Sequence, residues 1–131
     1  EYILGEGEAA GISQESLDKE RSVGGVQREN FSKAVKAGVK MVFGTDAGVY
    51  PHGDNLKQLS RMVKFGMTPM QALQAASINA AQLLKKDSDI GSLRAGRYAD
   101  VIAVKGNPLD DISILENVGI VMKGGEDVKA D

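Results

Sequence analysis

The stretch "GTDAGVYPHGDN", residues 44–55, holds a carboxylate, Asp46, just past a short apolar run, then the single histidine of the chain, His52, and an amide, Asn55. A carboxylate in such a loop can act as a general acid or base or bind a divalent cation. Each residue also has a plain reading. Asp46 suits a turn, where a short acidic side chain bonds nearby backbone N–H groups. His52, between Pro51 and Gly53, suits a solvated or hydrogen-bonding loop position, and Asn55 suits the start of a helix. A catalytic zinc takes three protein ligands. One histidine and no cysteine do not supply them.

The elements that must place this loop come from the periodicity. Residues 1–13 are glycine-rich and acidic. From Gln14 to about Ala37, Leu17, Val23, Val26, Phe31 and Val35 recur at helical intervals, either as one helix or as two shorter ones broken at Gly24 and Gly25. Gly38 closes this region as a C-terminal cap. "VKMVF", residues 39–43, then reads as a strand buried on both faces and ending at Gly44, so a strand is expected over about 39–44. After the loop, Leu56, Leu59, Met62 and Val63 mark one face of a helix that Asp54 would cap and Gly66 would end. "TPMQ", Thr68 to Gln71, is a capping box with Pro69 at the first helical position. Ser77 would cap a further helix from Ile78 to about Lys86. From Ile90 the text becomes turn, strand, turn, strand, punctuated by Gly96, Asn107-Pro108 and Gly124-Gly125. A boundary is therefore expected near residues 87–89.

Composition limits the function classes. A chain of 131 residues, 42% hydrophobic and 26% charged, can bury a core of its own. A net charge of −2, with basic residues interleaved among acids, gives no footprint for nucleic acid or an anionic membrane. No apolar stretch approaches the ~20 residues of a membrane-spanning helix. The absence of cysteine excludes a disulfide framework and a thiolate metal site. The start at Glu1-Tyr2, without an initiator methionine or a signal segment, leads to the expectation that the chain is a piece of a longer protein and leaves its compartment open.

One motif is a decoy. "GEGEAA", residues 5–10, fits the loose G-x-G-x-x-A pattern of dinucleotide-binding turns, but Glu6 and Glu8 would repel a pyrophosphate. No second strand ends in an acid about 20 residues further on.

Three separated signatures, "GTDAG", "GMTPMQALQAASINAAQLL" and "GSLRAGRYADVIAV", carry a resemblance covering about residues 28–125. In this order they resemble the C-terminal part of the metal-dependent amidohydrolase superfamily, in its imidazolonepropionase-like and Xaa-Pro dipeptidase or carboxypeptidase branch. The resemblance implies an α/β fold: the C-terminal portion of a (β/α)8 TIM barrel, residues 1–86, with "VKMVF" as the eighth strand, followed by part of a composite β-sandwich, residues 87–131. It implies one or two divalent metal ions, zinc before others, in the complete enzyme. Asp46 would be both metal ligand and catalytic acid/base, and His52 and Asn55 would lie at the rim of the substrate pocket. Asp100, in "YADVIAV", falls in the sandwich and reads as structural.

The remaining ligands of the family, a His-x-His pair, a bridging carboxylated lysine or its substitute, and two more histidines, have no counterpart in these residues. The expected activity is therefore hydrolysis of C–N bonds in a small peptide or amide, as a dipeptidase or carboxypeptidase, by a homo-oligomeric complete enzyme of which this chain is an inactive fragment. The alternatives are hydrolysis of a cyclic amide, as in the imidazolonepropionase-like enzymes, and a non-catalytic α/β fragment or interaction module.

Overall fold

The computed structural model describes residues 11–48 and 52–130, and the chain divides into two compact units, Glu1–Gly38 and Val39–Asp131. "GEGEAA" lies outside the described residues.

In the first unit Ser13 caps α1, Gln14–Lys36, by accepting a hydrogen bond from Ser16 N. The helix is continuous through Gly24 and Gly25, so the break allowed for at the glycine pair does not occur. Gly24 has a local reason to be there. Arg28 Nη1 reaches Glu20 Oε1 at 2.8 Å, and a Cβ added at position 24 would lie 2.1 Å from that oxygen. The ion pair thus crosses the groove that the missing side chain leaves, offsetting part of the roughly 1 kcal/mol a helical glycine costs. Gly38, at φ 72, stops the helix in the left-handed conformation that glycine adopts most readily.

The second unit begins with residues 39–46, which carry no regular secondary structure. The strand expected over 39–44 is therefore not formed among the described residues. A strand exists only through its ladder, and no neighbouring strand stands beside this segment among the described residues. Val39 and Val42 remain exposed.

Three short helices follow: α2, Lys57–Lys64; α3, Pro69–Ala76; and α4, Ile78–Leu83. The capping box of α3 is complete, with Thr68 Oγ1 accepting from Gln71 N at 3.2 Å and Gln71 Oε1 accepting from Thr68 N at 2.8 Å. Each partner thereby satisfies a backbone donor that the helix start would leave unpaired. The other two caps differ from expectation. Asp54 does not cap α2; it sits in a 3₁₀ turn, His52–Asp54, and pairs with Lys57 at 3.0 Å. Ser77 holds the N-cap position of α4 as expected, but its side chain makes no capping bond; its hydroxyl donates back to Leu73 O at 2.6 Å, the alternative open to a serine one turn beyond a carbonyl. The last helix also ends at Leu83, short of Lys86.

The core joins these helices to a 3₁₀ turn at Ile112–Glu116. Leu59, Met62, Met67, Ala72, Ala75, Ala81, Ile112 and Leu115 are buried, and α2 packs on both this turn and α3, which packs on α4. Each large apolar side chain so buried contributes roughly 1.5–3 kcal/mol. The alanines let α3 and α4 approach closely, and Gly91 extends that fit. A Cβ at position 91 would lie 2.7 Å from Ala81 Cβ, and the φ of 85 there is left-handed. Both features call for glycine.

The sheet is antiparallel in the order β1-β2-β3, with β1 at Val101–Ala103, β2 at Ile120–Lys123 and β3 at Glu126–Ala130. Val101 faces Met122 and Ala103 faces Ile120. Gly124 and Gly125, at φ 60 and 89, make the two-residue β2-β3 turn, where both positions need positive φ. Asp100 is placed at this hairpin, its Oδ1 accepting from Gly124 N at 2.8 Å. The expected change of texture at 87–89 lies inside the second unit, between α4 and β1. No described helix is long and apolar enough to cross a membrane.

Candidate functional site

Asp46 stands at the end of segment 39–46, whose position is fixed by contacts to the α3-α4 corner. Phe43 N donates to Ala75 O at 2.9 Å, Asn79 Nδ2 donates to Met41 O at 3.0 Å, and Lys40 Nζ donates to Gln82 Oε1. Asp46 itself is exposed and adopts φ 49. Among the described residues other than glycine, only Asp46 and Lys85 adopt a positive φ. Aspartate tolerates this region better than most residues, yet the conformation still costs of order 1 kcal/mol, and such strain gathers at functional positions.

Of the three residues singled out from the sequence, Asn55 is the one tied directly to the Asp46 segment. Thr45 Oγ1 donates to Asn55 Oδ1 at 2.9 Å. His52 is exposed in the 3₁₀ turn, and its backbone carbonyl accepts from Asn55 N at 3.3 Å. Asn55 therefore links the residue before Asp46 to the turn that bears His52. Two participants were missed in the sequence: Thr45, which reads as a bland strand-end residue, and Asn79, hidden inside "SINAAQLL". The available signal for Asn79 was a polar residue of low helix propensity in the first turn of a helix that it does not cap.

The donor set can be tested against the metal that the sequence resemblance implies. Among the described residues no group of three or more His, Cys, Asp or Glu side chains stands close enough to hold an ion. Asp46 alone offers a single hard oxygen ligand group, and three or four ligands are needed. The described residues do not by themselves fit a metal site.

The amidohydrolase family pattern matches residues 5–128. The chain belongs to the amidohydrolase family. A Xaa-Pro dipeptidase crystallised with methionine in its active site superposes with a TM-score of 0.82 at 47% identity, over 87% of this chain and 28% of that one. A prolidase in complex with N-methylphosphonate-L-proline gives a TM-score of 0.85 at 29% identity, over 99% of this chain and 33% of that one. The ochratoxinase of Aspergillus niger is 35% identical over 130 residues, 95% of this chain and 26% of its own length. The chain thus spans about a quarter to a third of the length of these relatives. Amidohydrolase relatives imply a barrel-type fold, whereas the described residues comprise helices and a three-stranded sheet, without a closed barrel.

Proposed function

We propose that this chain supplies the proton-transferring corner of an amidohydrolase that cleaves a C–N bond in a small dipeptide-like amide. The observation that carries the reading is Asp46: a carboxylate in a strained left-handed conformation, exposed, at the end of a segment held by three hydrogen bonds to α3 and α4. Its chemistry follows from the residue type. The carboxylate takes the proton of a water as that water attacks the amide carbon, and gives a proton to the departing nitrogen, which would otherwise leave as an unstable anion. Asn55 and His52, linked through the Thr45 contact and the His52 carbonyl, border this carboxylate in sequence and supply polar groups for the substrate. The peptide-like substrate class is supported by the Xaa-Pro dipeptidase and prolidase likenesses.

The metal ligands that this chemistry requires in the resembling family lie, on this reading, outside the 131 residues. On this reading the chain alone performs no hydrolysis.

The test is Asp46→Asn in the complete enzyme. Asparagine keeps the shape and cannot hold the proton, so turnover of a dipeptide amide should fall by about 10²–10⁴ with folding intact. Normal turnover would assign Asp46 to the turn alone. A panel containing dipeptides and a cyclic amide separates the peptide reading from the cyclic-amide alternative.

A further inference from the structure

We infer that Asn79 is a positioning residue for Asp46, setting the register of the segment that carries the carboxylate. This rests on the reading of Asp46 as the proton acceptor.

Two backbone groups of the segment are held by one helix corner. In an extended segment, residues two apart present their N–H and C=O groups along the same edge. Met41 O and Phe43 N are two apart, and both are engaged by the same corner: Met41 O by Asn79 Nδ2 at 3.0 Å, Phe43 N by Ala75 O at 2.9 Å. The side-chain amide of Asn79, in the first turn of α4, and the carbonyl of Ala75, in the last turn of α3, thereby hold two alternate residues of the segment. Sliding the segment by one residue would break both contacts and shift Asp46 with them.

The corner that reads the segment is itself firmly held. The capping box fixes the start of α3, Ala72, Ala75 and Ala81 are buried, and Gly91 closes on Ala81 and Ser77. Asn79 is half-buried and lies in the first turn of α4, where it caps nothing, so the Met41 contact accounts for an amide side chain at this position.

The experiment compares Asn79→Ala and Asn79→Asp in the complete enzyme. Aspartate is isosteric and suits the positive end of a helix dipole, so it keeps α4 while deleting the donor to Met41 O. Both variants should lose turnover, approaching the 10²-fold that a misplacement of about 1 Å can cost, with KM little changed. Hydrogen exchange in the peptide covering residues 40–46 should quicken in both. Exchange at the normal rate would overturn the inference, as would faster exchange with normal kcat. A kcat loss matched by the unfolded fraction in a melting curve would reduce Asn79 to a stability role and overturn it too. Asp46→Asn measured in parallel keeps the two readings apart. If it is inactive while both Asn79 variants turn over normally, only the positioning role fails; if it is active, the catalytic reading of Asp46 fails first.

Discussion

Thr45 Oγ1 donates a hydrogen bond to Asn55 Oδ1 at 2.9 Å, joining two residues ten apart in sequence and fastening the residue before Asp46 to the start of the region that leads into α2. This gives Asn55 a structural partner in addition to the substrate contact proposed for it. The two roles separate in a double-mutant cycle. Thr45→Val removes the clasp and leaves the Asn55 amide in place, whereas Asn55→Ala removes the clasp and any substrate contact. If the clasp is the whole role, the two variants should lower kcat equally and the double variant should be no worse, with a coupling of about 0.5–3 kcal/mol. A KM increase confined to Asn55→Ala would show that the amide also meets substrate.

His52 is proposed to touch substrate at the rim. It is exposed in a 3₁₀ turn and is connected to Asn55 through backbone. In the complete enzyme His52→Ala should therefore lower kcat/KM while leaving metal content per chain unchanged, since a rim contact holds substrate and a ligand holds metal. Metal loss that tracks activity loss would move His52 to the metal.

The helix caps give a stability contrast. Thr68 supplies one half of a complete capping box. Deleting a side-chain cap of this kind, as in Thr68→Ala, should cost about 0.5–2 kcal/mol in denaturant unfolding. Ser77→Ala should cost less, because Ser77 Oγ donates to Leu73 O instead of capping α4. Equal losses would contradict this assignment of the two hydroxyls.

These caps also show what was legible in the sequence. "TPMQ" reads correctly because a capping box is local: both partners lie within four residues and need nothing from the rest of the fold. Ser77 misreads because the same hydroxyl has a competing carbonyl one turn back, and sequence does not say which wins. "VKMVF" reads as a strand from its apolar run, yet strand formation depends on a neighbour, and the described residues offer helix α3 and the Asn79 amide in that place. Gly24 misleads for the opposite reason: it looks like a break, and the Glu20–Arg28 pair that spans it is set eight residues apart, beyond any local signal. Asp46 stood out by residue type and loop position, but its left-handed φ and its distant anchors emerge only in three dimensions.

Acidification should act on one identifiable cap. Asp111 Oδ1 accepts from Ser113 Oγ at 2.7 Å and from Ser113 N at 2.9 Å at the start of the Ile112–Glu116 turn. The side-chain bond first, and the backbone bond second, hold its carboxyl below the ordinary aspartate value of 3.8. The folded protein therefore binds this proton more weakly than the unfolded chain. The cap's contribution is complete above the ordinary value and is lost as pH falls through the lowered one. The difference in melting temperature between the wild type and Asp111→Asn should accordingly shrink as pH drops below about 4. A difference that stays constant down to about pH 2 would remove Asp111 from the acid response.

Residues 1–131 expressed alone should neither hold metal firmly nor hydrolyse an amide. His52 sits on an exposed turn, and the described residues contain no cluster of three ligands, whereas a catalytic zinc takes three. The same chain should also associate with itself. Leu83 is 67% exposed, Leu93 81% and Tyr98 68%, and Val39 and Val42 flank backbone that no described strand covers. Exposed apolar groups beside backbone that no described strand pairs with invite association with another copy. Zinc per chain after dialysis, hydrolysis of a dipeptide amide, and sedimentation across a concentration series measure the three expectations. Stoichiometric zinc with turnover in a concentration-independent monomer would mean that this quarter to third of an amidohydrolase is a complete enzyme. An inert, well-folded monomer would favour a stable non-catalytic module.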